Sequence, residues 1–189
     1  AKDRHLLNHC SRVSFYATLL ANRLSLTLAE QKSLAIGAFL HDIGKVSLPN
    51  YHYSDEPILP SGESAHSKEH CETGARMILP LEYPAEVGQI ISYHHERWDG
   101  SGYPHGLQGE GIPLLARIVS IAQMFDHLTA EVPGQSPLPV DQAIQQIALQ
   151  ANTYFDPMLA DQFARVATEC KASLPAMAIA TTPSGVSGL

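Results

Sequence analysis

Residues 94–104 read His94-His95-Glu96-Arg97-Trp98-Asp99-Gly100-Ser101-Gly102-Tyr103-Pro104. Ahead of them Val87, Ile90 and Ile91 recur on one side of a helical turn, and the spacing predicts a helix over 85–97. Imidazole groups at the end of an apolar helix are costly to bury unless they are paired or bound to a metal. Three glycines within a few residues, Gly100, Gly102 and Gly106, let the backbone bend where side chains would clash, and such a loop can bring amides close to a phosphate. Without the histidines the loop reads as a plain turn between helices.

A second pair, His41-Asp42, closes another apolar helix, predicted from about Leu28 to Ile43, with Gly44-Lys45 behind it. Adjacent helical residues point about 100° apart. A histidine and a carboxylate side by side can therefore hold one metal, or let the aspartate bridge two. Gly44 fits a C-terminal cap, since glycine takes the left-handed conformation without penalty. Taken by itself the pair reads as a buried histidine beside a capping aspartate. It is not by itself: His9, one turn after His5, lies in a first helix and His70 in a third. Several helices that each offer one or two inward ligands are how helical bundles build metal sites.

The remaining periodicity is helical throughout. Leu6, Cys10, Val13, Ala17, Leu20 and Leu24 mark a helix over 3–26, and Cys71, Ala75 and Ile78 mark one over 66–79. Pro113 opens a fifth, with Leu115, Ile118, Ala122, Phe125 and Thr129 as its stripe. Two more are expected over 140–152 and 157–172. A proline-containing loop spans 46–65 and a proline-rich break spans 132–139. No segment alternates like a half-buried strand. The fold class is all-α, a helical bundle of about seven helices. Residues 1–172 form the domain, and 173–189, rich in Ala, Thr, Ser, Gly and Pro, read as a flexible or loosely docked tail.

Composition narrows the function. The chain has 189 residues and a formal net charge of −7, which argues against a broad nucleic-acid surface. An anionic small substrate stays open, because bound cations invert the local field. Cys10, Cys71 and Cys170 have no CxxC spacing, so a disulfide framework is not expected and a reducing cytoplasm is. No apolar run reaches the roughly 18–20 residues of a membrane span. The chain begins Ala-Lys-Asp-Arg. It lacks the apolar core of a signal peptide and does not begin with Met, so a longer protein with an upstream domain is expected.

His41-Asp42 with Gly44-Lys45, followed by HHERWDGSGYP, resembles the HD-GYP subgroup of the HD phosphohydrolase superfamily. The likeness runs from residue 4 to about 165. It includes His9-x-x-Arg12-Val13, His70-x-x-x-Gly74, Ile112-Pro113, Ala116-Arg117-Ile118 and Phe155-Asp156-Pro157. It implies an HD-domain fold with two divalent metal ions, iron or manganese foremost and nickel or zinc as alternatives. It implies hydrolysis of cyclic di-GMP to linear pGpG or to GMP, through a hydroxide bridging the metals. Carried over position by position, the metal ligands are His9, His41, Asp42, His70, His94 and His95. Asp42 is the bridging carboxylate, and Lys45 sits near the scissile phosphate. Arg97, Asp99, Gly102, Tyr103 and Pro104 are candidates for substrate or loop contacts. An upstream regulatory domain or a GGDEF-type protein is the partner the resemblance suggests.

The chain departs from that family at three places. Gln123 stands where the pattern Ala-Asp-x-Phe-Asp puts an aspartate ligand, and Asp126 matches its second aspartate. A neutral amide oxygen binds a divalent cation more weakly than a carboxylate. His5 stands where trinuclear members carry glutamate, so a third metal loses its carboxylate and His5 becomes the candidate ligand. Residues 131–135, Glu-Val-Pro-Gly-Gln, hold no Lys or Arg where a basic stretch grips substrate. These departures keep two further readings open: a module that binds cyclic di-GMP or a protein without turnover, and a hydrolase of another nucleotide phosphoester. His52, His66, His105 and His127 match no ligand position, and surface placement is expected for each.

Overall fold

Helix α5, Leu114–Thr129, is apolar nearly all round, burying Leu115, Ala116, Ile118, Val119, Ile121, Ala122, Met124, Phe125 and Leu128. A helix of that pattern belongs in the middle of a bundle. The computed structural model describes residues 2–48, 65–131, 136–171 and 174 and is all-helical there. Around α5 lie α1 (Lys2–Arg23), α2 (Leu28–Leu40), α4 (Ala85–Tyr93), α6 (Val140–Leu149) and α7 (Pro157–Glu169). Phe125 meets Tyr16 of α1 and Phe163 of α7 edge-on, with ring centroids 5.0 and 5.1 Å apart. Each such buried aromatic contributes about 1.5–3 kcal/mol from removal of apolar area.

The helix starts follow their local chemistry. Thr27 and Glu30 form a reciprocal capping box at α2, with the Thr27 amide donating to Glu30 Oε2 at 2.8 Å. Asp156 caps α7, accepting from the Met158 amide at 2.9 Å, with Pro157 at the first helical position.

A smaller apolar cluster joins α2, α3 (Ala65–Ile78) and α4 through Ile78, Val87 and Ile91, with Ile36, Leu40, Ile43 and Ala75 against them. Here the reading of Gly44 as a left-handed cap is corrected. Gly44 is not among the positive-φ residues. It lies in a 3₁₀ turn, Ile43–Ser47, pressed against α3. A Cβ there would collide with the His70 carbonyl oxygen and stand 2.8 Å from the Gly74 amide nitrogen. Gly74 answers from the other side, where a Cβ would meet Ile91 Cγ2 at 2.9 Å. Two glycines thus let the turn after Asp42 lie directly on α3, which sets His70 beside Asp42.

The loop expected over 46–65 lies outside the described residues from 49 to 64, as do 132–135 of the proline-rich break. Of the tail expected over 173–189, Leu174 alone is described, packed into the main core at 4% exposure.

Candidate metal centre

Four elements converge on one buried point. His9 comes from α1, His41 and Asp42 from the end of α2, His70 from α3, and His94 and His95 from the end of α4. His9, His41, His70 and His94 have no exposed surface and Asp42 is 1% exposed. Their donor atoms, with those of His95 and Cys71, fall into two sets: His9, His41 and Asp42, and His70, Cys71, His94 and His95. Within each set all donor atoms lie within 4.8 Å of one another.

Asp42 faces both sets. Its Oδ2 lies 3.3 Å from His41 Nε2 and 3.6 Å from His9 Nε2, while Oδ1 lies 3.3 Å from His70 Nε2 and 3.7 Å from His94 Nε2. One carboxylate oxygen for each histidine group is the disposition of a bridging ligand. The Lys45 ammonium, itself buried, donates to Asp42 Oδ2 at 2.7 Å.

The imidazoles are oriented from behind. His41 Nδ1 donates to the Ala38 carbonyl at 2.8 Å and His94 Nδ1 to the Ile91 carbonyl at 3.0 Å. His9 Nδ1 donates to Asp126 Oδ2 at 2.7 Å. A ring nitrogen that donates outward leaves the other with its lone pair inward, the tautomer a metal requires. His41 Nε2 and Asp42 Oδ1 are buried and receive no hydrogen bond of proper geometry. Inward lone pairs, a shared carboxylate and orphaned buried donor atoms fit a pair of divalent cations.

Electrostatics agree. Burial holds His94 down at about 3 and His95 well below its ordinary range, so both stay neutral. Burial opposes charge on His41 too, but the Asp42 carboxylate outweighs it and lifts that ring to about 10. A proton and a metal ion on His41 Nε2 are alternatives, each answering the negative charge of Asp42. Burial raises the Asp42 carboxyl, while His41 and Lys45 together hold it well below the usual carboxylate range.

The other predicted site residues divide. Asp126 is fully buried and engaged by Arg12 as well as His9, with Arg12 Nε donating at 2.6 Å. It orients His9 from behind. Gln123 is half-buried at the centre's edge, its Nε2 3.5 Å from the His94 carbonyl. His5 is exposed and joins neither set. Arg97 stacks over Tyr154, between α6 and α7, at 3.9 Å, and Asp99 accepts from the Ser101 amide and hydroxyl within the loop. Gly102 is obligatory: a Cβ would stand 2.6 Å from Glu96 Cα and from the His95 carbonyl oxygen. Tyr103 then stacks on His95, centroids 4.8 Å apart and planes 14° from parallel. Pro104 follows it through a cis peptide bond.

Three participants lay outside the predicted set. Glu96, buried, accepts from the His105 and Leu107 amides at 2.7 and 2.9 Å and so pins the loop under the centre. Cys71 Sγ lies 3.5 Å from His70 Nε2. His127, expected on the surface, is half-buried with its ring 5.1 Å from that of His9. Cys71 follows His70 directly, as Asp42 follows His41, and that adjacency is its signal in the sequence. His105 is exposed, and His52 and the side chain of His66 lie outside the described residues.

Comparison with known proteins gives the family and the fold. The family described as HD domain matches residues 1–159. The 3'3'-cGAMP-specific phosphodiesterase 3 of Vibrio cholerae is 32% identical over 83% of this chain and 34% of its own length. The cyclic di-GMP phosphodiesterase response regulator RpfG of Xanthomonas campestris pv. campestris is 36% identical over 82% of this chain and 41% of its own. The chain thus spans well under half of these relatives. Among solved structures, a cyclic GMP-AMP specific phosphodiesterase of V. cholerae, V-cGAP3, superposes with a TM-score of 0.71 at 20% identity, over 95% of this chain and 53% of that one. Bd1817 of Bdellovibrio bacteriovorus, an HDG"Y"P protein, gives 0.70 at 24% identity, over 88% of this chain and 53% of that one. At those identities the two structures establish the shared fold. Among the described residues no helix is long and apolar enough to cross a membrane. The chain belongs to the HD domain family, with His41-Asp42 inside the buried histidine cluster and Tyr103 against it.

Proposed function

We propose that this domain is a metal-dependent phosphodiesterase that hydrolyses cyclic di-GMP to linear pGpG or GMP. The observation that carries the reading is Asp42, which turns one oxygen to His9 and His41 and the other to His70 and His94. When bound there, two divalent ions supply water activation and Lewis-acid stabilisation of the phosphoryl oxygens. His9, His41, His70, His94 and His95 would hold them, with Asp42 facing both positions. Lys45 is kept at the centre by Asp42 and offers a buried cation to a phosphoryl oxygen. Tyr103, flat on His95, forms one wall, and the Lys68 ammonium 5.1 Å from its ring centroid brings another cation to that wall. Relatives named for cyclic di-GMP and for 3'3'-cGAMP support a cyclic dinucleotide as the substrate class. Iron(II) and manganese(II) suit the nitrogen and oxygen donors.

Gln123 favours a second reading, nucleotide binding without turnover, because an amide stands at the edge of the centre where a carboxylate would tighten the ion. One assay separates the two. Protein reconstituted anaerobically with iron(II) or manganese(II) is incubated with cyclic di-GMP, other cyclic dinucleotides and simple phosphoesters. Linear pGpG or GMP from cyclic di-GMP is expected. Binding without product under either metal eliminates the enzyme reading, and faster turnover of another substrate reassigns it.

A further inference from the structure

Cys71 is fully buried on α3, next in sequence to His70. Its Sγ lies 3.5 Å from His70 Nε2, and its donor atom shares a set with those of His70, His94 and His95. Donors on one ion stand apart by amounts their bond lengths dictate. Bonds of about 2.0–2.1 Å to nitrogen and about 2.3 Å to sulfur put neighbouring donors roughly 3–3.6 Å apart at the angles a four- to six-coordinate ion takes. The His70–His94 separation is 3.2 Å and the Cys71–His70 separation 3.5 Å, both inside that range. A thiol–imidazole hydrogen bond accounts for one of these contacts. It does not account for two further imidazoles within reach of the same sulfur.

We infer that Cys71 is a metal ligand, its thiolate joining His70, His94 and His95 on the ion next to Asp42 Oδ1. The inference rests on the proposed reading that the centre holds two divalent ions. The thiol releases its proton to solvent when the ion enters. A sulfur donor softens this half of the centre, so iron(II), zinc(II) and cobalt(II) are held there in preference to manganese(II) or magnesium.

The test uses the full chain loaded anaerobically with cobalt(II), read by metal content and near-ultraviolet absorption. Two cobalt ions per chain and a thiolate-to-cobalt charge-transfer band are expected. Cys71→Ser loses the band, whereas Cys10→Ser, which removes the buried thiol beside His9, keeps it. X-ray absorption of the zinc-loaded wild type gives a readout free of any folding defect in the variants: a sulfur scatterer at about 2.3 Å is expected. Two cobalt ions without a band or a sulfur shell remove the thiolate and leave the two-ion centre standing. A band that survives Cys71→Ser, or vanishes with Cys10→Ser, likewise overturns the assignment. Failure to retain cobalt at all overturns both the assignment and the reading beneath it.

Discussion

His9 Nδ1 lies 2.7 Å from Asp126 Oδ2, and this pair turns the other nitrogen of His9 toward Asp42. Arg12, one turn further along α1, donates to both oxygens of the same carboxylate, at 2.6 and 3.0 Å. The carboxyl of Asp126 is opposed by burial but held below its ordinary range by these two partners. One aspartate therefore orients the His9 ring and ties α1 to α5.

Asp126→Asn leaves the side-chain volume in place and removes the charge. Retention of metal is expected to fall about 10–100-fold, because the ring behind the ligand loses its anchor. Stability is expected to fall by about 2–4 kcal/mol, toward the low end for a broken buried pair because Arg12 keeps some exposure. Chelator competition and thermal melting measure the two effects. Unchanged metal retention would show that Asp126 does not orient His9.

Gly44→Ala tests the close approach of the turn Ile43–Ser47 to α3. The added methyl meets backbone of His70 and Gly74, which cannot rotate away. A loss of about 2 kcal/mol or more is expected, together with poorer metal retention as His70 is pushed from Asp42. Denaturant unfolding with and without metal reads both. A variant as stable as the wild type would contradict the packing described.

Glu96→Ala leaves the His105 and Leu107 amides without their carboxylate. Charge-assisted hydrogen bonds of this kind contribute about 1.5–3 kcal/mol each. Amide hydrogen exchange over residues 100–108 is expected to accelerate, with a drop in turnover as Tyr103 loses its place on His95. Exchange at the wild-type rate would mean the loop is held by other contacts.

Gln123→Asp puts a carboxylate at the edge of the centre beside His94. Metal retention is expected to rise on the order of tenfold, and turnover with it, since ligand charge tunes affinity for a divalent ion. Titration with iron(II) or manganese(II) against a chelator decides it. No gain would place residue 123 beyond the ions' reach.

The seven α-helices among the described residues were all legible in the sequence, because each carries an apolar stripe at helical spacing. Their ends were less so. A helix expected to run to Arg97 stops at Tyr93, where His94 caps it and turns its ring to the Ile91 carbonyl. The residues beyond are as compatible with helix as with loop, so periodicity holds no signal there. α1 likewise stops at Arg23 rather than residue 26, as Ser25 takes a positive φ of 54°. Much of the buried cluster was readable because His41-Asp42 and His94-His95 are local pairs. The contacts that orient them were not: His9 and Asp126 are 117 residues apart, and Gly44 meets Gly74 only once the turn has folded onto α3. His127 met His9 for the same reason, through packing that no local pattern announces.

The proposed function turns on Asp42 spanning two metal positions. Metal content per chain, measured after anaerobic loading with iron(II) and removal of excess, decides this in the wild type and in Asp42→Asn. Two ions in the wild type and at most one in the variant, with the helical fold intact by circular dichroism, are the predicted result. A wild type that holds fewer than two, or an Asp42→Asn protein that still holds both, would contradict it.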